Sequence, residues 1–347
     1  MDLGTVKNFL AAYDGPDMNI MEVCGSHTGA IAKSGIPGLL SPKIHLLSGP
    51  GCPVCVTPSS YIDRLIELAT TPGTCVCTFG DLLRVPGSAE SLSDARGRGG
   101  RVEMLYSPFD VLNLAESEPE TRFVFAAIGF ETTAPVYALL ADRIEKSGQK
   151  NVTLLTSIRT MPPVIDALLS GGANVDGFIA PGHVSVIIGA EAFRPLAEKY
   201  GLPFGVAGFD PANILTAIAG IVKARGKGIV MNFYPSVVTA EGNGEARAEI
   251  AKVFEPADAV WRGLGPIPAS GLCLRQEYGG LDAGSRDLSE DRAKNSACRC
   301  GDVLSGRIRP TMCPLYGKVC TPLTPQGACM VSEEGNCRTW YAAKREK

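Results

Sequence analysis

Ile44-His45-Leu46-Leu47-Ser48-Gly49-Pro50-Gly51-Cys52-Pro53-Val54-Cys55 is a short apolar run that stops at a rigid Gly/Pro loop carrying a Cys-x-x-Cys pair. Residues 58–70 follow, with Tyr61, Ile62, Leu65, Ile66 and Ala69 on one helical face. Strand, loop and helix in that order are the unit of an α/β sheet. The same rhythm recurs along the chain. Strands are expected at 19–23, 44–48, 74–78, 102–106, 123–128, 152–156, 177–180, 204–207 and 229–232. Helical stretches are expected at 6–13, 25–33, 132–147, 163–169, 191–200 and 212–224. Buried-looking strands alternating with helices imply parallel sheets covered by helices. Residues 87–101, rich in Gly, Ser and charge, have the composition of a mobile surface loop. Beyond Pro235 the rhythm fades into Pro/Gly-rich polar sequence that ends in a cysteine cluster. The expected architecture is α/β: two open parallel-sheet domains, residues 15–118 and 119–235, facing a common cleft. A smaller cysteine-rich unit at 236–347, joined by 1–14, would be held partly by metal.

Composition narrows the chemistry. The chain has 347 residues, 20% of them charged, and a net charge of −3, so it lacks the basic field that a phosphate backbone requires, and nucleic acid is not an expected partner. No run reaches the roughly 18 to 20 apolar residues that span a bilayer. Met1-Asp2-Leu3-Gly4-Thr5 lacks a basic region followed by an apolar one, so no membrane association and a cytoplasmic location are expected. Twelve cysteines without an export signal argue for metal ligation or redox chemistry over a disulfide framework. Cys75 and Cys77, in a β-prone apolar run, and Cys273, alone, read as small buried hydrophobes.

The remaining cysteines carry the signal. Cys52-Pro53-Val54-Cys55 joins a glycine loop to a helix N-terminus, where the dipole favours thiolate, and suits a dithiol/disulfide couple better than half a metal site. Cys24-Gly25-Ser26-His27 sets a thiol and an imidazole three residues apart on an accessible turn; both could reach one ion and leave it open positions. Cys298, Cys300, Cys313, Cys320, Cys329 and Cys337 are too dense for chance and point to a metal centre. The paired Cys-x-x-Cys knuckles of zinc ribbons are absent, and iron-sulfur clusters tolerate wider spacings. Six cysteines still allow fifteen choices of four ligands, which spacing alone does not resolve. Glu131 alone would be a helix-capping acid and His183 a loop histidine. Their positions say more. Ligands of open α/β sheets bind beyond the carboxyl ends of strands, and there lie Cys24 and His27, Cys52 and Cys55, Glu131 and His183, each group after its own expected strand. They are expected to line one cleft.

Taken together these motifs resemble the hydrogenase maturation factor HypD family, whose members act with HypC and HypE in assembling the iron-dicyanide-carbonyl part of [NiFe]-hydrogenases. The likeness runs nearly end to end. It rests on Met21-Glu22-Val23-Cys24-Gly25-Ser26-His27-Thr28, with Ser26 where a second glycine is usual, and on Gly49-Pro50-Gly51-Cys52-Pro53-Val54-Cys55. Thr78-Phe79-Gly80-Asp81-Leu82-Leu83-Arg84-Val85-Pro86-Gly87, the Glu131 and His183 motifs, and Trp261-Arg262-Gly263-Leu264-Gly265 complete it. The family's four cluster cysteines are separated by fourteen, six and sixteen residues, intervals that Cys298, Cys313, Cys320 and Cys337 reproduce. The resemblance therefore implies a [4Fe-4S] cluster on those four, with Cys300 and Cys329 as spares. It further implies that Cys24, with His27 nearby, holds the iron that receives cyanide and carbonyl, shared with a cysteine of a HypC-type chaperone. A HypE-type partner would deliver cyanide, and the Cys52/Cys55 dithiol and the cluster would supply electrons. Two other readings fit the residues: an iron-sulfur-dependent thiol/disulfide oxidoreductase that carries no iron cargo, and a zinc-stapled interaction protein.

Overall fold

The computed structural model describes residues 2–286, 288, 290–292 and 294–345. The N-terminal part runs α1 (Leu3–Ala11), β1 (Met18–Glu22), α2 (Gly25–Lys33), β2 (Ile44–Ser48), a single turn α3 (Pro53–Val56), α4 (Ser59–Thr70), β3 (Thr74–Thr78), α5 (Leu92–Gly97), β4 (Val102–Met104) and α6 (Asp110–Ser117). The middle runs β5 (Arg122–Gly129), α7 (Ala134–Ser147), β6 (Val152–Arg159), α8 (Met161–Ser170), β7 (Gly177–Ala180), α9 (Gly182–Ile188), α10 (Arg194–Tyr200), β8 (Phe204–Val206), α11 (Pro211–Lys223) and β9 (Val230–Asn232). The last part holds α12 (Gly244–Val253), β10 (Phe254–Trp261), β11 (Gly265–Leu274), α13 (Cys300–Leu304) and α14 (Asn336–Arg345). Among the described residues no helix is long and apolar enough to cross a membrane.

The strands form two sheets, as the alternation predicts. Sheet A has the order β2-β1-β7-β8-β9, all parallel. Sheet B has the order β10-β11-β6-β5-β3-β4, parallel from β6 to β4. Numbered in chain order within each sheet, both begin 2-1-3-4, the doubly wound order with a switch point beside the first strand. The strands are not shared out at 118/119, however. β1, flanked by β2, pairs with β7, while β3, flanked by β4, pairs with β5. A strand's periodicity reports burial, not which of two sheets it joins, so the sequence does not reveal this interleaving.

Three further departures have local causes. Residues 87–101 hold the helix α5, started by a capping box in which Ser91 Oγ accepts from Asp94 N–H and the Asp94 carboxylate accepts from Ser91 N–H. After Pro235, β10 and β11 form an antiparallel hairpin that joins sheet B through Gly271↔Arg159 and Leu272↔Ile158. Leu3–Ala11, expected with the C-terminal unit, packs instead on α11, where Val6 and Leu10 share an apolar cluster with Ile214 and Ile218.

That cluster covers the outer face of sheet A, and α6 and α7 cover one face of sheet B. The largest core is continuous between the sheets, from Met21, Phe178 and Phe204 of sheet A to Val124, Ile128 and Leu155 of sheet B. Cys320, Ala328, Met330 and Cys337 belong to this same core, so the cysteine-rich segment is packed into the molecule and not appended to it.

Candidate functional site

Register positions the site. β1 and β2 pair in step from Met18↔Ile44 to Glu22↔Ser48, so the two loops that follow emerge side by side at the carboxyl end of sheet A. Gly25 N–H donates to Gly51 O at 3.0 Å, and Gly49 N–H to Glu22 O at 2.7 Å. A Cβ on Gly51 would lie 2.3 Å from Cys24 N and 2.5 Å from Cys24 Cα, so only glycine allows this approach. Cys24 and the Cys52/Cys55 turn are thereby locked together.

Cys24 is the N-cap of α2, in extended conformation, and is 8% exposed. Burial pushes its thiol up to about 12, against the pull of the His27 N–H at the helix start; the carboxylates of Glu22 and Glu334 add to the rise. Glu22 is buried beneath it. Its carboxylate accepts from Cys24 N–H at 2.9 Å and from Thr28 Oγ1 at 2.5 Å, and burial lifts it to about 7.

His27, one turn on, is fully buried, and burial pulls its imidazole down to about 4, so it is neutral at physiological pH. Nε2 lies 3.0 Å from Gly208 O and 3.2 Å from Ala207 O. Carbonyls only accept, so the proton is assigned to Nε2. Nδ1 then carries a lone pair, and no partner reaches it. The segment that bears the two carbonyls is held by Asn213, which accepts from Gly208 N–H at 2.6 Å and donates to Phe233 O at 2.7 Å. Phe209 stacks against His27 at 4.7 Å between ring centroids and against His183 at 4.1 Å. His183 is exposed. The three rings thus run from solvent to the buried imidazole, across the switch point between β1 and β7.

Cys52 and Cys55, both buried, form a disulfide across α3, and Cys55 N–H also points at Cys52 Sγ at 3.2 Å. α3 packs on β5 of sheet B and on the turn Ala328–Met330, so the disulfide lies between the cysteine-rich segment and the sheets. Glu131 belongs to the other sheet. One carboxylate oxygen accepts from Met161 N–H at 2.7 Å, the other has no partner, and burial raises the group to about 7. The structure therefore brings Cys24, His27, His183 and the Cys52–Cys55 loop to sheet A, and holds Glu131 by contacts within sheet B.

Sequence reading passed over Glu22, Phe209 and Asn336. Phe209 follows β8 as His183 follows β7, so the strand-end rule could have found it. Asn336 donates to Ser48 O and Gly49 O, both at 3.2 Å, and Ser26 Oγ donates to Glu334 at 2.9 Å. These bonds fasten α14 and its approach onto the Cys24 and Cys52 loops; no local sequence signal announces them.

Cys298, Cys313, Cys320 and Cys337 line one small cavity with Cys300 and Cys329. Cys300 Sγ and Cys329 Sγ are 3.2 Å apart. Burial pushes the Cys298 thiol up to about 12 and that of Cys337 well above its usual range. So many buried thiols ionise together only around cations. In number and kind this donor set suits an iron-sulfur cluster, although among the described residues no three donors are grouped so as to hold a metal ion. Cys75 and Cys77 are fully buried in β3, while Cys273 is half-buried and lines a separate cavity beside β6.

Comparison with known proteins gives one answer. The family described as "HypD: Hydrogenase formation hypA family" matches residues 5–344. The chain is 43% identical over 340 residues to the hydrogenase maturation factor HypD of Azotobacter vinelandii, covering 94% of this chain and 90% of that protein. It is 41% identical over 336 residues to HypD of Escherichia coli, covering 95% and 90%. A putative hydrogenase expression/formation protein of Methanocaldococcus jannaschii is 43% identical over 332 residues, covering 94% and 92%.

Proposed function

The chain belongs to the HypD family of hydrogenase maturation factors, and from that premise we propose that it is the scaffold on which the iron-dicyanide-carbonyl group of a [NiFe]-hydrogenase is assembled. The observation that carries this reading is the pair formed by a protonated thiol, Cys24, and a neutral imidazole, His27, whose Nδ1 has no partner. An incoming iron displaces the Cys24 proton and takes the sulfur as thiolate, a soft donor suited to iron that carries cyanide and carbonyl. Glu22 fixes the Cys24 backbone, and the Ala207 and Gly208 carbonyls fix the His27 ring so that Nδ1 stays available. With few protein donors, the iron keeps positions open for a thiolate from a HypC-type chaperone and for cyanide from a HypE-type partner.

Cys52 and Cys55 serve as the redox couple. Closed, the pair takes up two electrons and two protons to give two thiols; open, it returns them. Cys298, Cys313, Cys320 and Cys337 would hold a [4Fe-4S] cluster, which when bound supplies single electrons.

The test is an infrared spectrum of the protein purified without oxygen together with its HypC-type partner, in the region where iron-bound cyanide and carbonyl stretch. Bands present in the wild type and lost in Cys24→Ala, with the brown cluster colour retained, are the expected result. A second reading draws on the closed Cys52–Cys55 disulfide: a thiol/disulfide oxidoreductase without iron cargo. Absence of the bands from a complex shown to contain cluster and partner would favour it.

A further inference from the structure

The carboxyl end of β6 carries a group that the assembly reaction leaves unused. Arg159 is 7% exposed, and no carboxylate among the described residues pairs with it. Nη2 donates to Val260 O at 2.8 Å, Nη1 reaches only the adjoining Ile158 O at 3.4 Å, and Nε has no partner. A guanidinium has five N–H donors, so most of its hydrogen-bonding capacity is idle. Burial pulls it down to about 10, which still leaves it charged at neutral pH. A buried charge without a counter-charge is costly, and proteins keep few of them.

Two residues earlier on the same side of the strand, Ser157 is also buried, and its Oγ has no partner either. Arg159 and Ser157 line one cavity of about 390 Å³, enclosed by β6, the β10–β11 hairpin and Tyr61 of α4. That volume lies in the range of small-ligand sites. Among its other described lining residues, Asp258 is exposed and accepts from Ala269 N–H at 2.9 Å, and the Arg286 guanidinium already faces Glu255 at 3.6 Å. Among the described lining residues, Arg159 is then the buried positive charge left without a counter-charge, in a fork suited to two oxygens.

We propose that this cavity binds a small monoanionic carboxylate, held by the Arg159 guanidinium and the Ser157 hydroxyl. A phosphate dianion would leave a surplus negative charge beside Asp258. The site lies against the carboxyl-terminal half of β6, where the β10–β11 hairpin joins the sheet. Two residues on, Met161 N–H holds Glu131.

Calorimetric titration of the full chain, purified without oxygen, with sodium acetate, sodium formate and inorganic phosphate at fixed ionic strength tests this. The expected result is saturable acetate or formate binding, weaker phosphate binding, and a loss of about tenfold or more in carboxylate affinity in Arg159→Met, the scale of a charge-assisted pair. Ser157→Ala should lose several-fold and answers the question should the arginine variant fail to fold. Acetate should raise the unfolding temperature of the wild type but not of Arg159→Met. In buffer free of added carboxylate, Arg159→Met should unfold no earlier than the wild type. Absence of saturable binding, equal binding in both variants, or phosphate binding tighter than acetate would overturn the proposal. So would early unfolding of Arg159→Met without anion, which would make the arginine a structural strut.

Discussion

Cys24 is a thiol that keeps its proton until something displaces it, and His27 is an imidazole that cannot take one at neutral pH. His27→Phe should therefore preserve the stack on Phe209 while weakening iron retention in the partner complex; equal iron content in the two proteins would remove His27 from the ligand set. Glu131 makes a prediction about pH. Its carboxyl is raised from 4.5 to about 7, so the folded chain holds a proton that the unfolded chain releases. The burial penalty is absent below pH 4.5 and complete above about 7, on the order of 3 kcal/mol at 1.36 kcal/mol per unit. Relative to Glu131→Gln, the wild type should lose thermal stability as pH rises from about 4.5 to about 7; comparison with the variant cancels the slope from Glu22, which runs in the same sense. At this scale the sequence was informative where chemistry is rare. Thiols and imidazoles after strands stand out, whereas Glu22 and Phe209 matter through partners contributed by distant segments.

The element that decides the site's precision is the pair of loops after β1 and β2. Gly51→Ala forces a methyl onto the Cys24 backbone, so it should cost roughly 1–3 kcal/mol, the range for overpacking. It should also disturb the cargo site without touching a donor. Differential scanning of the holoprotein, read beside the infrared bands, checks both; an unchanged midpoint would mean that the loops are not locked. Most strands were legible because each is a run of buried residues with a Gly or Pro boundary, and 44–48, 74–78 and 177–180 coincide with their expected limits. α5 was missed because a one-and-a-half-turn helix has no periodicity to read, and its Ser91/Asp94 box is the only cue. The β10–β11 hairpin was missed because twelve of its eighteen strand residues are exposed or only part-buried and its Pro and Gly content imitates a loop.

For the whole molecule, the cysteine-rich segment shares the central core and is tied to the loops of sheet A. Stripping iron from the proposed cluster with a chelator should therefore do more than bleach its colour. Hydrogen exchange should quicken across 298–337 and in the Cys24 and Cys52 loops, while β5 and β6 stay protected. Exchange confined to 298–337 would show the two regions to be independent. The sequence announced two α/β sheets but not their weave, since the pairing of β1 with β7 leaves no mark in either strand. That weave has a consequence for synthesis. Ile20 waits for Gly177, 157 residues later, while the parallel strands of sheet B are completed in between. At 5–20 residues per second this is roughly ten to thirty seconds on the ribosome. Throughout that interval the Cys24 turn has no β7 or β8 loop to close over it. A nascent chain arrested before β7 should surrender Cys24 to an alkylating reagent, and a finished chain should shield it.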